Sequence, residues 1–152
     1  MKVKTTRFGE LECQESQLLS FPEGLVGFPE HHRYALLDIE GQEPFRWLQS
    51  LEEPGLAFVI LDPRLFKPDY QVPITASEIE GLEIADPSRA LVLTIVTVPP
   101  DNPLEMTANL LGPLLINPER GLARQLVLAG SGHPTRHRVL ASSTPAEMQF
   151  AL

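Results

Sequence analysis

Residues 107–128 read TANLLGPLLINPERGLARQLVL, two apolar runs joined by the loop Asn117-Pro118-Glu119-Arg120-Gly121. The runs Leu114–Ile116 and Leu122–Leu128 predict the arms of a β-hairpin. Asn117 can bond its own downstream backbone, Pro118 presets φ at the next turn position, and Gly121 can take positive φ and close the loop as a bulge. Such a loop fixes register, and a one-residue slip would turn every following side chain to the wrong face. The segment holds no nucleophile, metal cluster or phosphate loop, so its patterning is structural and its loop tip is left free for contact.

The strand reading extends outward from there. ALVLTIVTV (90–98) alternates Leu91, Leu93, Ile95 and Thr97 on one face with Val92, Thr94, Val96 and Val98 on the other, and both faces are largely apolar. That pattern predicts a central strand covered on each side. YALLDI (34–39) and LAFVIL (56–61) are further strands, and Val3–Thr6 with Leu11–Gln14 flank Phe8-Gly9 as a first hairpin. FRWLQSL (45–51) fits a short helix by its apolar spacing, but the turn Glu52-Glu53-Pro54-Gly55 beside it favours a strand. Fifteen prolines at short intervals leave little room for long helices. A turn or two of helix is expected at Thr75–Glu80, capped by Thr75 or Ser77. The predicted fold class is all-β, mainly antiparallel: a small barrel-like domain over 1–140 with one or two short helices, and a loose tail over 141–152.

Composition sets limits on function. The chain has 152 residues, 43% hydrophobic and 21% charged, with a formal net charge of −8. Its 12 basic residues are scattered, which argues against direct nucleic-acid binding. An acidic surface suits a basic protein partner. There is no apolar run long enough to span a membrane and no apolar leader in MKVKTTRFGELECQ, so a cytoplasmic protein is expected. Cys13 is the only cysteine and cannot form an internal disulfide.

No catalytic constellation emerges from the sequence. His133 and His137 stand four apart, but Pro134 opposes a helix that would align them as metal ligands. His31-His32 read as a solvated turn. Asp62 and Asp69 could pair as carboxylates, yet Asp62-Pro63 and Pro68-Asp69 are turn chemistry. Cys13 lies on an expected strand without a base, and Ser16, Ser20 and Ser50 have no G-x-S-x-G setting. Gly24-Leu25-Val26-Gly27 lacks the lysine of a phosphate loop. A binding protein is therefore expected, with no cofactor, metal or small-molecule substrate.

The stretch Phe21-Pro22-Glu23-Gly24-Leu25-Val26-Gly27-Phe28-Pro29 places two aromatic and two aliphatic residues in a Gly/Pro-rich connection. Those side chains either plug the core or form an adhesive patch. This stretch resembles the F-P-x-G-L-x-G-F opening of the flagellar assembly factor FliW family. Pro44-Phe45-Arg46-Trp47-Leu48-Gln49-Ser50 is similar to its P-F-x-x-L-Q-S segment, and Ala57-Phe58-Val59 leads into Asp62-Pro63 as in that family. Phe66 and Asp69-Tyr70 fit its acidic-aromatic stretch. Met106-Thr107-Ala108-Asn109-Leu110, Gly112-Pro113 and Ile116-Asn117 resemble its M-T-x-N-L-x-x-P-x-x-x-N run, Gln125 falls on its glutamine, and Arg136-His137 on its closing segment. The chain departs in having Gly132-His133-Pro134-Thr135 where members often carry an aromatic residue.

The resemblance implies a compact β-barrel and a non-enzymatic role. FliW-like proteins bind flagellin, and they bind and antagonise the translational regulator CsrA, so that flagellin controls its own synthesis through a partner switch. For this chain it implies flagellin and CsrA as partners; the alternatives are a flagellin-holding chaperone without CsrA regulation, or a small metal-dependent hydrolase. Matched motif positions make Phe21, Leu25, Phe28, Gln49, Asn109, Asn117 and Gln125 the candidate partner-binding residues. The four polar ones are equally open to reading as satisfied buried amides or Asx turns.

Overall fold

The computed structural model describes residues 1–140, and the tail expected over 141–152 lies outside them. The described residues form eleven strands: β1 (Lys2–Thr5), β2 (Gly9–Glu12), β3 (Leu18–Ser20), β4 (Arg33–Leu37), β5 (Arg46–Ser50), β6 (Ala57–Leu61), β7 (Leu91–Thr97), β8 (Thr107–Ala108), β9 (Leu114–Asn117), β10 (Leu122–Gln125) and β11 (His137–Arg138). One helical turn, α1 (Ala76–Ile79), and four short 3-10 turns complete the described residues. The order β7-β6-β5-β4-β3-β10-β9 closes on itself because β9 also pairs β7, giving a seven-stranded barrel. Every pairing is antiparallel except β10 with β3.

The central strand follows its alternation. Leu91, Leu93 and Ile95 enter the barrel interior with Phe21, Tyr34, Leu48, Ile60 and Leu114. Val92 packs outside against Tyr70, Leu82 and Leu115. Val96 packs with Leu61, Met106 and Leu140. Two covered faces are why this strand carries apolar residues at consecutive positions. A further cluster of Val3, Cys13, Ala35, Leu37 and Trp47 lies beneath the β1–β2 hairpin.

Several boundaries move from their expected places, each for a local reason. The first hairpin is tighter: the Thr5 hydroxyl accepts from the Phe8 amide and donates to Gly9 O, drawing Gly9 into β2 opposite Thr5. Cys13 consequently follows the strand, where its amide donates to Met1 O. The 107–128 hairpin forms with Leu122 opposite Asn117 and one-to-one pairing throughout, so Gly121 (φ +64°) closes a loop and makes no bulge. β10 ends at Gln125, short of Leu128. The opposing Pro113 accepts from the Leu126 amide but has no N–H to return, and regular exchange stops there. Residues 46–50 form a strand, and Thr75 caps α1 by a reciprocal capping box with Glu78.

The barrel closes at a narrow seam. Between β3 and β10 one pairing, Ser20 with Leu122, is accompanied by a 2.7 Å bond from the Ser20 amide to Gly121 O. A Cβ on Gly121 would come within 2.7 Å of Leu18 O, so glycine serves both the loop's backbone and the seam's close approach.

Candidate functional site

The connection between β3 and β4 is both plug and patch. Phe21 and Leu25 are buried in the barrel interior, with the Phe21 ring edge-on to Tyr34 at 5.3 Å. Leu25 and Phe28 exchange backbone hydrogen bonds, making Val26-Gly27 the tip of a tight turn. Gly24 (φ +69°) permits that return, because a Cβ there would meet Pro29 Cα and O at 2.7 Å. Val26 at the tip is 67% exposed, and Phe28 is 38% exposed while its ring rests edge-on against Phe58 at 5.4 Å. An anchored loop that presents apolar side chains outward is a feature of protein-contact surfaces.

Residues far away in sequence hold this loop. Gln125 Oε1 accepts from the Val26 amide at 2.8 Å, and its Nε2 donates to Gly112 O at 2.9 Å. Asn109 Oδ1 accepts from the Gly112 amide at 2.9 Å. A Cβ on Gly112 would lie 2.8 Å from Gln125 Nε2 and 3.0 Å from Asn109 Nδ2, so a larger residue would break the knot. Glu23 pairs with Arg124 at 3.1 Å, and Arg124 also donates to the carbonyls of Ser77 and Glu78. Three separated stretches, 21–28, 109–113 and 124–125, thus form one surface element.

The structure divides the candidate contact residues. Phe28 faces outward, and Asn109 and Gln125 are half-buried supports of the loop. Phe21 and Leu25 turn inward and act by fixing the loop's base. Gln49 is 3% exposed, and its Nε2 lies within bonding distance of the carbonyls of Ser50, Pro54 and Leu56, organising the β5–β6 turn. Asn117 is 7% exposed: its Nδ2 donates to Leu82 O and Glu83 O, and its Oδ1 accepts from the Glu119 amide in an Asx turn. Gln49 and Asn117 stand away from the knot of Gln125, and both are satisfied amides. Val26 lies outside the motif-matched candidates, and its place between Leu25 and a positive-φ Gly27 is the signal that marks it as the tip.

The other candidates take structural positions. His31 and His32 are half-buried outside any turn, and a His32 ring nitrogen lies 3.0 Å from Phe21 O. The amides of His32 and Arg33 donate to Glu52, and these hydrogen bonds hold its carboxyl below the usual range. Asp62 caps the turn at Pro63–Leu65 and pairs with Arg64, which lowers its pKa; Asp69 pairs with Lys67. His133 rests edge-on to Tyr70 at 4.9 Å, and His137 stacks on Phe66 at 5.9 Å. Burial lowers the His137 pKa, with Lys67 and His133 adding to the effect. The Ser50 hydroxyl accepts from the amides of Glu52 and Glu53. Among the described residues no group of three His, Cys, Asp or Glu side chains could hold a metal, and no helix is long and apolar enough to cross a membrane.

A closed barrel whose family-type polar residues fasten an apolar-tipped loop defines a fold seen before in flagellar assembly. The crystal structure of the flagellar assembly factor FliW superposes with a TM-score of 0.85 at 31% identity, over 95% of this chain and 100% of that one. The flagellar assembly factor FliW of Leptospira interrogans serovar Lai is 43% identical over 143 residues, 94% of this chain and 95% of the relative. That of Treponema denticola is 42% identical over 146 residues, 96% and 98% of the two chains. The FliW protein family model matches residues 2–139, and the chain belongs to the FliW family of flagellar assembly factors.

Proposed function

We propose that this protein binds flagellin and, in exclusion of flagellin, binds and antagonises CsrA, so that flagellin level sets the free CsrA concentration. The observation that carries this reading is the convergence of three family-type stretches on one loop whose apolar residues Val26 and Phe28 are exposed. A preorganised loop loses little conformational entropy on binding. The net charge of −8 supports steering towards a basic regulator without contact to RNA. Exclusive binding to two partners turns one partner's concentration into the other's release by mass action. The role is one of binding, and no reaction is assigned to it.

The test is competition. The complex with CsrA of the same organism is formed, flagellin is titrated in, and CsrA release is followed by size-exclusion chromatography. Release in proportion to flagellin is the expected result. Binding of flagellin without any CsrA complex would leave a flagellin-holding chaperone, and binding of neither would overturn the proposal.

A further inference from the structure

A second surface adjoins the loop through Phe58, which carries the Phe28 ring. On β6, the ladder with β5 runs from Ile60 down to Ala57, whereas the ladder with β7 stops at Val59 opposite Val96. No hydrogen bond joins Ala57 or Phe58 to Thr97 or Val98, so the strands splay at this end. The Ser50 amide donates to Leu56 O, which sets the alternation along β6: Phe58 and Ile60 turn their backbone groups to β5, and Ala57, Val59 and Leu61 turn theirs to β7. The N–H and C=O of Ala57 therefore face the gap. Val98, continuing the phase of Val96, offers its own from the other side.

The gap opens into a groove of about 690 Å³ that includes Ala57, Phe58, Thr97 and Val98 in its lining. Phe45, Val59 and Met106 supply apolar wall, and Val98 is 38% exposed on the rim. Trp47 also lines it. This residue is 9% exposed, and its indole Nε1–H is buried without a partner. The only charged residue in the lining is Arg7, whose guanidinium lies 4.9 Å over the Trp47 ring.

We infer that this groove accepts an extended peptide strand with apolar side chains at alternate positions and a carboxylate beside Arg7. Three properties specify that occupant. Two unpaired backbone edges face one another and take a strand by β-augmentation. The apolar walls take side chains projecting on one face of it. The charged group of the lining, Arg7 over the Trp47 ring, is a donor, so the peptide supplies a carboxylate there.

Trp47 is the single tryptophan, so its indole N–H gives one resonance in a nitrogen-edited NMR spectrum. The full chain is titrated with acetyl-Glu-Val-Thr-Val-Thr-Val-amide and with the same peptide carrying lysine for glutamate. Saturable shifts of the Trp47 indole and of the Ala57 and Val98 amides are expected, with the acidic peptide bound about tenfold more tightly. Arg7→Glu, an exposed change, should invert that preference, and Val98→Asp should weaken both peptides about tenfold. Absence of shifts at these residues, or equal affinity for the two peptides before and after Arg7→Glu, would overturn the inference. So would concentration-dependent shifts in peptide-free protein together with a dimer mass, which would make a second copy the occupant.

Discussion

Gln125 holds Val26. The side-chain oxygen of Gln125 accepts from the Val26 amide at 2.8 Å across a separation of 99 residues, while its nitrogen donates to Gly112 O. One amide therefore ties the tip of the β3–β4 loop to the turn before β9. Gln125→Ala should lower stability by about 1–2 kcal/mol, two neutral hydrogen bonds at a partly exposed site. Gln125→Glu should keep the acceptor and lose the donor. Urea unfolding measures both losses, and the Val26 amide resonance should move much further in the alanine variant.

Val26→Asp separates binding from folding. The side chain is 67% exposed, so its stability change should stay within about 0.5 kcal/mol. Flagellin affinity, measured by calorimetry, should fall by about tenfold or more, because a charge at the tip would have to be desolvated. Unchanged affinity would remove the loop tip from the proposed interface.

Two loop glycines should respond differently to alanine. At Gly27 (φ +88°) a Cβ meets open space, and the expected cost is the backbone strain of about 1 kcal/mol. At Gly24 (φ +69°) the same strain is joined by clashes with Pro29 Cα and O at 2.7 Å. Gly24→Ala should therefore cost at least about 2 kcal/mol, judged by the chemical denaturation midpoint at constant slope.

Gln49→Ala should cost about 2–3 kcal/mol by thermal or urea unfolding, since it strips a buried donor from carbonyls at the β5–β6 turn. The loss should be one of stability alone. Flagellin binding measured well below the unfolding transition should persist, because the Gln49 side chain is inward-facing.

Acid should weaken the contact between residues 66–70 and β11. The folded pKa of His137 is lowered by burial and by Lys67, so the native state prefers the neutral ring. The unfolded chain then binds more protons, and stability present above about pH 6.5 is lost as pH falls towards the folded pKa. The lowered carboxyls of Glu52, Asp62 and Asp86 act in the same direction at lower pH, below the usual carboxylate range. Unfolding free energies at pH 7.5 and 5.5 should differ in wild type and converge in His137→Phe, which keeps an aromatic ring over Phe66.

The sequence by itself determined what depends on neighbours along the chain. Alternation through 90–98 gave a strand covered on both faces, and Thr75 or Ser77 marked the cap of a short helix, which the structure gives to Thr75. Asn117, Pro118 and Gly121 marked the loop of the hairpin read over 114–128, although its second strand ends at Gln125 and no bulge forms. These are local matters of φ, side-chain period and hydrogen bonds within a few residues. The loop motif at 21–28 was legible as apolar and glycine-bound, which marked it as important without dividing plug from patch.

Tertiary structure decided the rest, because the deciding partners lie far apart in sequence. Phe21 and Leu25 are core and Val26 and Phe28 are surface through a turn fixed by Pro29 and Gln125. Gln49 and Asn117, chosen as polar contacts, are spent on carbonyls that only folding brings near them. The splay between β6 and β7 has no signature in either strand, since both remain good β sequences beyond Val59 and Val96. Its cause is geometric: past Val96, β7 continues its pairing with β8, through Thr97 and Thr107, while β6 stays with β5.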